Sequence, residues 1–201
     1  MIYLILILFY IPVKIFFPTK VVGKENLKKG KSIIVCNHTS WLDPILLVVA
    51  MPSIRLNFMA KKELFKGRFR SWFIKSLGGY PIDRGQTDIT GIKNTLYLLK
   101  KERSVVIFPE GTRNKSEDEG EMLAIKNGVS MLAIKGKSPI IPMFFKRKPK
   151  FLRFNKLYVG ESFTLDEFND KKLTQQVLDE ASGKIKVNLD NLKEKSITKG
   201  K

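Results

Sequence analysis

Short apolar runs rich in β-branched residues alternate with segments of helical periodicity along most of the chain. Two runs, SIIVC at 32–36 and SVVIFPEG at 104–111, have the length and composition of buried strands. Between them, residues 87–103 place apolar side chains at every third or fourth position, which predicts an amphipathic helix. Because parallel strands need long crossover connections, this alternation predicts an α/β fold, with a largely parallel or mixed central sheet flanked by helices.

The remaining elements follow from the same patterns. Asp43 is predicted to be the N-cap of a short helix, with Pro44 at its first position. Further strands are predicted at 55–60, 80–84, 139–145 and 156–163, and further helices at 68–79, 122–135 and 171–194. These elements form one predicted domain, residues 20–194, and residues 195–201 are predicted to be a frayed tail.

The N-terminal segment is almost wholly apolar. Residues 1–17 read MIYLILILFYIPVKIFF, and Lys14 is their one charged residue. The uninterrupted apolar run is shorter than the roughly 20 residues of a comfortable membrane span. We therefore predict that residues 1–19 are a membrane-seated helix, either shallow or barely spanning; the alternative is a helix that packs on the domain's own core. The lysines that follow predict that the domain lies on the cytoplasmic side of the cytoplasmic membrane.

The charge of the chain points to an anionic partner. The formal net charge is +18, which suits nucleic acid, an anionic membrane or an acidic carrier protein. The apolar N-terminus favours membrane lipid, and no specific nucleic acid is expected. The run KRKPK at 146–150 is the best candidate for contact with lipid or a carrier protein, with a plain exposed loop as the alternative. One Cys and one His give no indication of a disulfide, a metal site or a redox cofactor.

Polar and charged residues follow three of the predicted strands. Asn37 and His38 follow SIIVC, Asp83 and Arg84 follow YPI, and Glu110 with Gly111 follows VVIFP. Ligands of parallel α/β sheets bind beyond the carboxyl ends of the strands. The sequence therefore predicts that these residues converge at one edge of the sheet.

His38 and Asp43 have the residue types and spacing of a general base with its orienting carboxylate. A neutral imidazole removes a proton from an alcohol near neutral pH, and a carboxylate on the other ring nitrogen fixes the tautomer. The chemistry needs no protein nucleophile if the substrate supplies the hydroxyl. The alternative is a histidine satisfied in a loop while Asp43 only caps a helix. A triad through Ser40 or a thioester on Cys36 is disfavoured, because Ser40 lacks a GxSxG elbow and Cys36 is expected to be buried.

Four ordered blocks carry a resemblance to a known family. NHTSWLD matches the NHxxxxD motif of the glycerolipid acyltransferases, and FPEGTR matches their third block. GGYPIDR and PIIPM resemble the second and fourth blocks, and MAKKELF resembles the family's lysine segment. The resemblance runs from about residue 20 to 165 and is greatest to the bacterial branch that acylates 1-acylglycerol-3-phosphate.

The resemblance implies a role for each matched residue. His38 would be the general base and Asp43 its orienting partner. Asn37 would hold them in position without contacting the substrate. Substrate-binding residues carried over from the motifs are Lys61, Arg84, Glu110, Gly111, Thr112 and Arg113. The arginines and the lysine would hold a phosphate, for which a guanidinium fork is well shaped. Glu110 would hold a substrate hydroxyl or an arginine, or form only an internal ion pair.

The implied reaction is acyl transfer from acyl-ACP or acyl-CoA to the 2-hydroxyl of 1-acylglycerol-3-phosphate, which gives phosphatidate. No cofactor is implied. The same chemistry on glycerol-3-phosphate or another lysophospholipid is the first alternative, and a non-catalytic basic protein that binds membrane or nucleic acid is a remote one.

Overall fold

The computed structural model describes residues 10–83, 88–114 and 124–198. Its strands are β1 (Thr19–Val22), β2 (Ser32–Cys36), β3 (Leu56–Lys61), β4 (Gly79–Ile82), β5 (Ser104–Ile107), β6 (Ile140–Phe145) and β7 (Asn155–Val159). Its helices are α1 (residues 10–16), α2 (Asp43–Ala50), α3 (Arg68–Ser76), α4 (Ile89–Lys100), α5 (Gly128–Gly136) and α6 (Gln175–Thr198). The predicted α/β class is confirmed.

The seven strands form one sheet in the order β1-β7-β6-β2-β5-β3-β4. Strands β6, β2, β5, β3 and β4 run parallel to one another, whereas β7 pairs antiparallel with β6 and parallel with β1. The five parallel strands therefore end at a single carboxyl edge. That edge is where the residues predicted to converge are attached.

Both faces of the sheet are covered, which explains why its central strands are mainly apolar. Ile33 and Val35 of β2 point into a cluster with α4, α5 and α6. Ile34 and Cys36 point the other way, into a cluster with Leu46 and its neighbours on α2. Every residue of β2 and β5 is buried, so the two strands that lead to His38 and Glu110 are held from both sides.

Several predicted boundaries are wrong. Helix α5 begins at Gly128 and not at 122, because the Lys126 N–H donates to the Pro109 carbonyl (3.0 Å) and residues 124–126 are not helical. Helix α6 continues to Thr198, so residues 195–198 are helical and not frayed; residues 199–201 lie outside the described residues. Strand β1 was not predicted; it is an edge strand whose only neighbour is β7.

Half of the predicted membrane segment, residues 1–9, lies outside the described residues. Val13 of α1 and Phe17, which follows it, pack on the cluster beneath α2. Ile11, Ile15 and Phe16 of the same segment are 52%, 60% and 42% exposed. Among the described helices, none has the length and apolar character to cross a bilayer.

Candidate active site

His38 and Asp43 form a hydrogen-bonded pair at the carboxyl edge of β2. His38 is the second residue after β2, and Asp43 is the first residue of α2. The imidazole Nδ1 lies 2.9 Å from Asp43 Oδ2, and the Asp43 side chain is fully buried while that of His38 is 13% exposed. With Nδ1 donating to the carboxylate, Nε2 is left unprotonated and able to accept a proton.

The carboxylate of Asp43 is held by the backbone of the turn that precedes it. Its Oδ2 also accepts the N–H groups of Thr39 and Ser40, each at 2.7 Å. Asp43 is therefore not the helix N-cap that the sequence predicted; Leu42 occupies that position, and Asp43 is the first helical residue. A carboxylate in the first turn of a helix also suits the positive end of the helix dipole.

The imidazole of His38 stacks on Phe108, which follows β5. Their ring centroids are 4.1 Å apart and the ring planes differ by 19°. The Asp43 hydrogen bond and this stack restrain the ring from two directions. The position of Nε2 is consequently fixed by the adjacent ends of two paired strands.

Glu110 contacts the backbone of the same histidine. Its side chain is 3% exposed, and its Oε1 accepts the His38 backbone N–H at 3.4 Å. The Asn114 N–H in turn donates to the His38 carbonyl at 2.7 Å. The FPEGTR segment and the Asn114 that follows it thus bind the N–H and the carbonyl of His38, which brings the first and third sequence blocks together.

Gly111 adopts a left-handed backbone with φ of 68°. A Cβ at this position would lie 2.8 Å from Lys126 Cε and 2.9 Å from Lys126 Nζ. The Lys126 side chain therefore lies against the Gly111 backbone, and the site residues predicted from the sequence did not include this lysine. It belongs to no motif, and only the contact of residues 124–128 with the FPEGTR loop places it here.

The remaining predicted site residues are less closely gathered. Thr112 and Arg113 are exposed beyond Gly111, and Arg84 lies outside the described residues. Lys61, at the end of β3, is also exposed, and its Nζ lies 3.7 Å from Glu63 Oε1. The structure thus joins His38, Asp43 and Glu110 by direct hydrogen bonds and leaves Lys61, Thr112 and Arg113 facing solvent.

Asn37 and Cys36 make contacts that do not involve the imidazole. The Asn37 side chain is 2% exposed and bonds the backbone of Phe145 on β6. Burial raises the pKa of the Cys36 thiol well above its ordinary value, and the neighbouring Asp43 charge adds to the effect. This thiol is held protonated, as expected for a small buried apolar side chain.

An apolar groove of about 580 Å³ opens beside the pair. Its lining includes Phe108, which also stacks on His38, together with Gly111 and Lys126. The apolar side chains that line it come from five elements and loops: Met59, Ile82, Ile92, Ile107, Phe108, Val129, Met131 and Leu132. Such a groove accommodates a hydrocarbon chain with one end near the imidazole.

The described part of the chain gathers no group of three His, Cys, Asp or Glu side chains able to hold a metal ion. The chemistry that its residues can supply is proton transfer at His38 Nε2, next to an apolar groove and several exposed cations.

Comparison with known proteins agrees with this arrangement. A model of the family described as Acyltransferase matches residues 18–146. The chain is 38% identical over 128 residues to the 1-acyl-sn-glycerol-3-phosphate acyltransferase of Bacillus subtilis (strain 168), covering 63% of this chain and 62% of the relative. It is 35% identical over 184 residues to the protein of that name in Saccharomyces cerevisiae, covering 87% of this chain and 60% of the relative.

The fold has a counterpart among solved structures. The crystal structure of the 1-acyl-sn-glycerophosphate acyltransferase of Thermotoga maritima superposes with a TM-score of 0.64 at 26% identity, covering 89% of this chain and 72% of that one. The chain spans about three fifths of the length of the Bacillus and yeast relatives. Because the family model matches more than half of the chain, and the matched residues carry the His38–Asp43 and FPEGTR segments, the chain belongs to the acyltransferase family.

Proposed function

We propose that the chain transfers an acyl group from an acyl thioester to the 2-hydroxyl of 1-acylglycerol-3-phosphate. The observation that carries the proposal is the His38–Asp43 pair, whose imidazole stacks on the Phe108 ring that lines an apolar groove. The names of the relatives support the same reaction class.

In the proposed reaction, His38 Nε2 removes the proton of the acceptor hydroxyl as the oxygen attacks the thioester carbonyl. The C–O bond forms, the carbonyl oxygen becomes an oxyanion, and the imidazole becomes an imidazolium. Collapse of the tetrahedral intermediate breaks the C–S bond. The sulfur leaves with the proton carried by His38, so that the products are phosphatidate and the free thiol of the carrier.

Asp43 orients the base and stabilises its charged form. Its Oδ2 fixes the proton on Nδ1, which keeps the lone pair of Nε2 directed at the acceptor. The Thr39 and Ser40 N–H groups hold that oxygen in place, so the carboxylate need not reorganise when the imidazole becomes positive. Asn37 restrains the main chain just before His38 through its bond to Phe145, and Glu110 binds the His38 N–H.

Cations around the FPEGTR segment supply the proposed phosphate site. Arg113 is two residues after Gly111, and the Lys126 side chain lies against the Gly111 backbone. Lys61 is at the end of β3. By resemblance, Arg84 also belongs to this set. A phosphate monoester carries up to two negative charges, so exposed cations can attract it while Gly111 allows its oxygens close to the backbone.

The apolar groove is the proposed site of the acyl chain. Its aliphatic and methionine side chains suit a hydrocarbon chain, although Asp83, Asp88 and Lys126 also line it, and Phe108 connects it to the imidazole. The proposed donors are acyl-ACP and acyl-CoA, which share the thioester. The proposed setting is the cytoplasmic membrane, with the domain on the cytoplasmic side and residues 1–19 seated in the lipid.

The test is a thiol-release assay in detergent with acyl-CoA and acyl-ACP as donors. The acceptors are lysophosphatidate, glycerol-3-phosphate, lysophosphatidylcholine and none. Release with lysophosphatidate alone is expected. Release with glycerol-3-phosphate or lysophosphatidylcholine instead would retain the chemistry and replace the substrate, and no release with any pair would refute the proposal.

Two variants distinguish the role of the general base from the binding of the acceptor. His38→Ala should lower the rate by orders of magnitude and leave lipid binding nearly intact; retention of most of the rate would remove His38 as the base. Arg113→Ala should raise KM for the phosphorylated acceptor, and an unchanged KM would place the phosphate elsewhere.

A further inference from the structure

The connection from β6 to β7 lies at the same edge of the sheet as His38. Strand β6 is parallel to β2, with Cys36 opposite Met143, so the chain leaves both strands on the same side. We call residues 146–156 the basic loop. The Pro18 carbonyl accepts the Asn155 N–H at 2.8 Å, which places the end of α1 at this edge as well.

The basic loop is strongly and uniformly charged. It contains six cationic side chains and no carboxylate: Lys146, Arg147, Lys148, Lys150, Arg153 and Lys156. These residues line a cleft of about 220 Å³ together with Phe154 and Asn155. So concentrated a positive charge complements an anionic surface.

Large apolar side chains project from between these cations. Phe151, Leu152 and Phe154 are 57%, 63% and 86% exposed. Such exposure of neighbouring large apolar residues marks an interaction site. The cations and the apolar groups therefore belong to one surface, with a composition suited to the headgroup region of a bilayer.

The apolar surface continues onto α1. The Phe151 ring stacks on Phe16 with centroids 5.2 Å apart, and the Leu152 N–H donates to the Phe16 carbonyl at 2.7 Å. Ile11 and Ile15 on the same helix are also more than half exposed. The loop thus extends the apolar N-terminal segment sideways along the carboxyl edge.

The backbone conformation of Leu152 also favours an interaction surface at this loop. Its φ is 54°, in the left-handed region that a leucine rarely adopts. The side chain held there is 63% exposed, so burial within the domain does little to offset the strain. The loop thus holds a strained leucine with most of its side chain exposed, as expected where an apolar side chain is presented to a partner.

We propose that the basic loop docks on an anionic bilayer, with Leu152 and Phe154 entering the acyl-chain region and the surrounding cations binding lipid phosphates. An acidic carrier protein would meet the same charge, but the protruding apolar side chains and their continuity with α1 favour a bilayer. The proposal rests on the proposed function in one respect: docking at this edge turns the His38 pocket towards the surface that holds a lysophospholipid acceptor.

A site-specific fluorophore tests the docking directly. Cys36, the only cysteine, is fully buried, so a thiol-reactive environment-sensitive dye labels a cysteine introduced by Phe154→Cys. The matched control is Tyr97→Cys, 59% exposed on α4, which runs back from the carboxyl edge. Vesicles of phosphatidylcholine and phosphatidylglycerol should shift the emission of the label at 154 to the blue and leave the label at 97 unchanged.

Substitutions within the loop complete the test. Leu152→Asn suits the left-handed backbone, so Tm should hold or rise while partitioning into anionic vesicles falls about tenfold. Lys148→Glu with Arg153→Glu should lower partitioning into anionic vesicles by about tenfold or more, and leave partitioning into phosphatidylcholine vesicles nearly unchanged. Thiol release from acyl-CoA in detergent should not change in these variants, so a failure of docking can be distinguished from a failure of catalysis.

Three results would overturn the proposal. One is a label at 154 that stays in water while the protein sediments with vesicles. Another is unchanged partitioning of both loop variants. The third is a blue shift produced by acidic acyl carrier protein and not by vesicles, which would assign the surface to a protein partner.

Discussion

The Asn37 side-chain amide makes two hydrogen bonds to the backbone of Phe145, as a residue of a neighbouring strand would. Its Oδ1 accepts the Phe145 N–H at 2.8 Å, and its Nδ2 donates to the Phe145 carbonyl at 3.1 Å. The residue before His38 is thereby bound to the last residue of β6, from which the basic loop departs. The proposed base and the proposed docking surface share this attachment.

Asn37→Ala should be strongly destabilising. The substitution leaves the buried Phe145 N–H and carbonyl without their partner, and each such group costs about 1–3 kcal/mol. We expect the free energy of unfolding in urea to fall by about 2–4 kcal/mol. Asn169→Ala, whose amide makes an exposed bond to Asp166, is the control and should change little. Equal effects of the two substitutions would contradict this account.

Asp43→Asn should impair catalysis with little change in acceptor binding. An amide can donate to Nδ1 and so favours the tautomer with the proton on Nε2, where the base must be free. We expect kcat to fall by about 10²–10⁴-fold while KM changes little. The measurement is steady-state thiol release, with a thermal melt to show folding. A variant with unchanged kcat would mean that the carboxylate has only a structural role.

Gly111→Ala should reduce both stability and activity. Alanine at φ of 68° costs about 1 kcal/mol, and its Cβ would displace the Lys126 side chain. The matched control is Gly128→Ala in α5, where no described atom lies within 4 Å of the added Cβ. That control should be neutral or stabilising by up to about 1 kcal/mol. Thermal melts and acceptor KM distinguish the two variants.

Lys126→Ala should weaken binding of the phosphorylated acceptor. Its ammonium group lies against the Gly111 backbone and lines the groove, so its removal should raise acceptor KM by about tenfold, the usual loss for a charge-assisted hydrogen bond. Lys135→Ala, an exposed lysine in the last turn of α5, is the control with the same change of charge. If both substitutions raise KM equally, the effect is one of net charge and not of position.

Asp88 should make the start of α4 sensitive to acid. Its carboxylate accepts the Gly91 N–H at 2.8 Å and the Asp83 N–H at 2.6 Å, and these bonds lower the pKa of Asp88 from 3.8. A depressed pKa in the folded state means that the stabilisation is complete above about pH 4 and disappears as pH falls through the folded value. Asp88→Ala should cost about 1 kcal/mol at neutral pH, as for other N-caps.

Urea unfolding of the wild type and Asp88→Ala across the acid range checks this dependence. The difference between the two proteins should shrink below about pH 4 as the wild-type carboxyl becomes protonated. A difference that is constant with pH would show that the charge of Asp88 contributes nothing to the cap.

Local patterns determined most of the fold. The runs that became β2, β5 and β6 are buried at every position and almost wholly apolar because both faces of the sheet are covered, and such strands are recognisable without a partner. Strand β1 was not predicted because its four residues, TKVV, form a strand only by pairing with β7 at the edge of the sheet. Residues 124–127 were predicted as helix because their composition allows it, yet contact with Pro109 keeps Lys126 out of the helix.

The sequence by itself determined that His38 and Glu110 would meet, because residues at the carboxyl ends of adjacent parallel strands share an edge. Only the tertiary structure decided which atoms bind: the Asp43 oxygen that bonds the imidazole, Oδ2, is also the one on which the Thr39 and Ser40 N–H groups converge. Lys126 and the basic loop reached this edge through chain packing. Contacts between segments far apart in sequence leave no periodic pattern, since their positions depend on the whole fold.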